Sequence, residues 1–76
     1  MAIDPLRRTS GRTLLSHQGF DLHWTGTHFR VTYGDRLVWS HRVCATDSNA
    51  EEVARTWWDL QGHYLAKRQA SEMGLL

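Results

Sequence analysis

From Phe20 to Thr25 the chain alternates strictly, with Phe20, Leu22 and Trp24 apolar and Asp21, His23 and Thr25 polar. This is the period of a strand buried on one face only. Gly26-Thr27 follows as a two-residue hairpin turn, and pairing outward from it predicts Thr25 opposite His28, Trp24 opposite Phe29, Leu22 opposite Val31 and Phe20 opposite Tyr33. Every large apolar side chain of both strands then shares one face, and a slip of one residue would send them all to the other. A second turn lies around Gly34-Asp35. A two-residue loop there splits the core, because it leaves Trp39 on the face of Arg30. A three-residue loop, Gly34 to Arg36, instead pairs Tyr33 with Leu37, Val31 with Trp39 and Phe29 with His41.

The inner face so defined carries Phe20, Leu22, Trp24, Phe29, Val31, Tyr33, Leu37, Trp39 and His41. The outer face carries Asp21, His23, Thr25, His28, Arg30, Thr32, Val38, Ser40 and Arg42. An aromatic face of this kind has to be covered. The remaining long segment is helical in pattern. Ser48-Asn49-Ala50-Glu51 has capping-box spacing, and Val53, Trp57, Leu60 and Tyr64, extended back to Ala50, form a stripe expected to lie on the sheet. Gly62 costs a helix about 1 kcal/mol relative to Ala and marks a kink or an end. The expected fold is therefore α+β: a three-stranded antiparallel sheet packed on one C-terminal helix. Leu14 and Leu15 are compatible with a fourth edge strand near residues 12–17 or with a segment folded over the core.

At 76 residues, 41% of them hydrophobic, the chain has apolar mass for one core and no more. The expected organisation is a flexible basic arm over 1–11, a single domain over 12–70 and a frayed tail over 71–76. One cysteine, Cys44, makes no internal disulfide and fits a reducing compartment, the interior of a cell. No run approaches membrane-spanning length, and no membrane partner is expected. Net charge is only +1, but it is polarised. Residues 1–12 carry Arg7, Arg8 and Arg12 against Asp4, 3 − 1 = +2, and residues 47–76 carry three basic against five acidic groups, 3 − 5 = −2.

Five histidines invite a metal, yet His23 and His28 lie diagonally on the outer face without a third converging ligand, and no metal or cofactor is expected. Cys44 and His41, three apart on a strand, point to opposite faces, and no nucleophile, base and orienting group come together, so no catalytic residue is assigned. The stronger candidate is the outer face, where Arg30 and Arg42 stand among His23, His28, Thr25, Thr32 and Ser40. Guanidinium, hydroxyl and imidazole groups suit phosphate and base-edge contact. Arg7 and Arg8 of the arm, and Arg12 just after it, extend this set. Trp58 sits about 100° from Trp57 on the helix, so both cannot face the sheet centre. With Ala54, Gln61 and Leu65 it either packs on Leu14 and Leu15 or, with a loose arm, offers a partner an exposed aromatic anchor.

Three antiparallel strands followed by one helix over residues 20–66, with Gly34-Asp35 and the Ser48 to Tyr64 helix as landmarks, resemble DNA-binding domains of the AP2 type and the arm-binding domains of tyrosine integrases. That resemblance implies a major groove read by the outer face, from which acidic Asp21 and apolar Val38 depart. In size and character, with eight Arg to one Lys and a polarised surface, the chain also resembles small proteins of phages and mobile elements, among them anti-CRISPR inhibitors. That resemblance implies a host protein or ribonucleoprotein complex as partner and blocked recruitment of target DNA as the effect. Direct DNA binding is the alternative.

Overall fold

The computed structural model describes residues 12–76. Arg7 and Arg8, with the rest of the expected arm, lie outside the described residues. Four strands, β1 (Arg12–His17), β2 (Phe20–Trp24), β3 (His28–Tyr33) and β4 (Arg36–Arg42), form an antiparallel sheet in sequential order. The fourth edge strand is thus present. Gln18 (φ 50°) and Gly19 (φ 87°) join β1 to β2 through a two-residue turn with both φ positive, the geometry that matches strand twist.

The central hairpin pairs as the alternation predicts, Trp24 with Phe29, Leu22 with Val31 and Phe20 with Tyr33. The next hairpin differs. Val31 pairs with Trp39 and Phe29 with His41, but Tyr33 pairs with Arg36 and Thr32 with Leu37. The loop is therefore Gly34-Asp35, and a bulge at Val38 absorbs the extra residue that a three-residue loop would have held. Val38 turns inward and is buried, while Leu37 goes to the outer face, 37% exposed. The edge strand β1 uses the same device: the register shifts between Thr13 and Leu15, so that Leu14 and Leu15 both pack inward. A bulge puts two residues against one and lets an adjacent apolar pair serve one core.

The helix runs continuously through α1 (Ala50–Trp57), a π-helical turn (Trp58–Gly62) and α2 (His63–Glu72). It packs on β1 through α1 and on β4 through α2. Its buried residues are Ala50, Ala54, Trp58, Gly62, Ala66 and Ala70, spaced four apart. Four residues overshoot an α-helical turn by about 40°, and the wider π turn takes back part of that drift. The stripe expected to face the sheet is displaced: Val53 and Trp57 are only half-buried, Leu60 is 79% exposed and Tyr64 66%. An inner face already filled with aromatic rings leaves room for alanines and one indole rather than for a second row of bulky side chains.

Gly62 does not end the helix, which runs on through His63–Glu72. A Cβ there would lie 2.5 Å from Cε3 and Cζ3 of Trp57, so the glycine is the seat of that indole. The capping box is also unrealised: Asn49 is the N-cap residue and makes no side-chain cap bond, its Oδ1 instead accepting from the Thr46 N–H at 2.8 Å. At the other end the helix closes within residues 71–76. The Gly74 N–H donates to the Ser71 carbonyl and the Leu75 N–H to the Ala70 carbonyl, with Gly74 at φ 78° and Leu75 packed on the core, a Schellman closure. Among the described residues no helix is long and apolar enough to cross a membrane.

Candidate functional site: the outer sheet face

The helix covers the inner face, and among the described residues no element packs on the outer one. Across the strands that face reads Thr13, His23, Arg30, Ser40 in one row and Ser16, Asp21, Thr32, Leu37 in the next, with His28 and Arg42 paired beyond. Its order comes from hydrogen bonds between strands. The His23 ring joins Thr13 and Thr32, Nδ1 lying 3.0 Å from one Oγ1 and Nε2 2.9 Å from the other. Burial pushes the His23 pKa below the ordinary histidine value and nearby Arg30 adds to this, against the opposing pull of Asp21. A neutral ring donates through one nitrogen and accepts through the other, so both threonines are satisfied. Thr32, only 2% exposed, is the buried polar residue of the sheet, and this bond accounts for it. The Ser16 hydroxyl donates to Asp21 beside it.

His23 is thus a clamp, committed at both nitrogens, rather than a free contact. His28 shares a 2.7 Å bond between Nδ1 and the Thr27 hydroxyl, at the rim. Arg42 is exposed, and Arg30 is half-buried with its Nε shielded from solvent and without a hydrogen-bond partner. The sequence reading therefore places His23, His28, Arg30 and Arg42 on one face, and the structure brings them together there. Val38 departs from that face through the bulge, while Thr13 and Ser16 join it on β1. The adjacent apolar pairs Leu14-Leu15 and Val38-Trp39 are the signal for both changes, since a doublet inside an alternating strand serves one core only through a bulge.

Two candidates fall elsewhere. Arg12 pairs with Trp24, and its Nη2 donates to the Asp47 carbonyl at 3.2 Å, while the Trp24 indole N–H donates to Asp47 Oδ1 at 2.7 Å. Arg12 thereby pins the β4–α1 connection. Trp58 is a core residue, 4% exposed, packed against Phe20 at 5.8 Å between ring centroids and donating its indole N–H to His17 Nδ1 at 3.2 Å. Of its two expected placements, packing is the one adopted, and no exposed aromatic anchor remains there.

The other histidines belong to the aromatic core. His41 lies 4.9 Å from Trp57 and accepts from the Trp39 indole at 3.0 Å. His63 stacks on Trp58 at 5.2 Å and meets His17 at 4.6 Å. Burial is the main cause lowering both pKa values, helped by His28 at His41 and by His17 and Lys67 at His63. Among the described residues no three His, Cys, Asp or Glu side chains converge as metal ligands. No protein-family model, curated protein or solved structure matches the chain.

Proposed function

We propose that this chain is a non-enzymatic binding protein that uses its outer sheet face as the interface. On this reading it is a mobile-element inhibitor that docks on a host CRISPR-Cas complex in the cell interior and blocks recruitment of target DNA. The observation that carries the interface is a polar sheet face with Arg30 and Arg42 on it and no covering element among the described residues. Hydrogen bonds among Thr13, His23 and Thr32 and between Ser16 and Asp21 order the strands beneath the arginines before any partner arrives. The partner class is drawn from the resemblance in size and character to anti-CRISPR proteins.

The test is capture from lysate of a CRISPR-bearing bacterium with the tagged chain, followed by duplex-DNA binding of the captured complex with and without it. A nuclease or surveillance subunit should be recovered and its DNA binding should fall. Recovery of none refutes the partner class.

The same two arginines favour direct DNA binding as a second reading, of the AP2 or integrase-arm type. Against it, the chain carries nine basic and eight acidic groups, 9 − 8 = +1, and nucleic-acid affinity rests largely on released counterions. Tight binding to random duplex that weakens steeply with salt would reverse the ranking.

A further inference from the structure

We infer that His28, Arg30, Ser40 and Arg42 form one recognition site for a carboxylate-bearing protein segment, a stretch of Asp and Glu on the partner. This rests on the outer face being the interface and specifies its chemistry. In the β3–β4 register His28 pairs with Arg42 and Arg30 with Ser40, so the four occupy the corners of one block with the arginines on its diagonal. Diagonal neighbours lie roughly 7–8 Å apart, within reach of two long guanidinium arms closing on one carboxylate or on two adjacent ones.

Neither arginine is ion-paired among the described residues, where the two salt bridges, Arg55 with Glu51 and Arg68 with Glu72, lie on the helix. Asp21, which shares the face, accepts from Ser16 and lies on β2, two strands from Arg42 on β4. The shielded Nε of Arg30 is the second observation. Burial of Nε fixes the stem of the guanidinium, and its terminal Nη groups are the donors that an incoming carboxylate can meet. Ser40 is exposed beside it, and His28 keeps Nε2 for a further bond.

A protein carboxylate fits better than a nucleic-acid phosphate. With a net charge of only +1 the chain offers little of the bulk attraction on which nucleic-acid affinity draws. Leu37, exposed on the same face, offers an apolar contact that a peptide side chain can use and a phosphate cannot.

The experiment is an amide NMR titration of the full chain with a decaglutamate peptide and, separately, with a random duplex, each at low and moderate salt. Shifts from the peptide should cluster at His28, Arg30, Ser40 and Arg42. Arg30→Gln and Arg42→Gln should each weaken binding at least about five-fold, while Arg36→Gln, at the turn, should leave it unchanged. Stronger, steeply salt-dependent shifts from the duplex at the same residues would overturn the carboxylate assignment in favour of phosphate. No clustered shifts from either probe would overturn the site. If Leu37→Glu abolishes capture of the host complex while both arginine variants retain it, the outer-face interface stands and the carboxylate site alone is refuted.

Discussion

Replacing Gly62 by alanine sets two physical expectations of opposite sign against each other. Helix propensity alone favours alanine by about 1 kcal/mol at an exposed interior position. Here a Cβ would stand 2.5 Å from two ring carbons of Trp57 and 2.9 Å from a third, whereas carbon atoms rest roughly 3.5–4.0 Å apart. The indole must retreat by about 1 Å to restore that spacing. It is hemmed in by Phe29 at 5.6 Å, His41 at 4.9 Å and Trp58 at 6.3 Å between ring centroids. Overpacking of this kind costs about 1–3 kcal/mol. Set against the propensity gain, the expected net is destabilisation of about 1 kcal/mol, or a fall in Tm of about 4–8 °C for a domain of this size. Thermal unfolding followed by far-ultraviolet circular dichroism and by tryptophan fluorescence reads it directly. In a Trp57→Leu background the clash is gone and Gly62→Ala should become neutral or stabilising, a coupling of about 1–3 kcal/mol across the cycle. If Gly62→Ala raises Tm in the wild-type background, the packing of Trp57 on Gly62 is wrong.

The orientation of the helix predicts a contrast along it: Leu60→Ala and Tyr64→Ala should change stability by no more than about 0.5 kcal/mol, and Trp58→Ala should cost about 3–5 kcal/mol in urea unfolding. Equal costs at Leu60 and Trp58 would put the other stripe on the sheet. Thr32→Val keeps the shape and strands one nitrogen of His23, and a loss of about 1–3 kcal/mol is expected; an unchanged urea midpoint would remove the clamp from the account. His23, His41 and His63 all have folded-state pKa values below the ordinary histidine value. The unfolded chain therefore takes up protons first, and their contribution is complete above the unfolded value and lost as pH falls through the folded ones. The urea midpoint should drop from pH 7.5 to pH values below about 6.5, and His→Gln at any of the three should flatten that drop. A midpoint indifferent to pH over this range contradicts the burial of the rings.

The candidate face was legible to the extent that one hairpin was. Once Gly26-Thr27 is the turn, His23 and Arg30 must pair on the face opposite Leu22 and Val31, because parity in a strand admits no other arrangement. His28 follows from the same hairpin and Arg42 from the next strand. Thr13 and Ser16 carried only the indirect signal of the Leu14-Leu15 doublet, because residues 12–17 do not alternate. Leu14-Leu15 breaks the period, and only a bulge, which depends on the neighbouring strand, restores it.

Alternation and turn chemistry in the chain suffice for the central hairpin, the aromatic inner face and the existence of a covering helix, all properties of local period. Which face of that helix turns inward is not a local property. Both the stripe through Val53, Trp57, Leu60 and Tyr64 and the one through Ala50, Ala54, Trp58, Ala66 and Ala70 are apolar, and hydrophobicity favours the bulkier. The tertiary structure buries the smaller. Phe20, Trp24 and Phe29 already fill the space above the sheet, and the helix approaches it through alanines, with Trp58 inserted beside Phe20 and a π turn keeping that row in register.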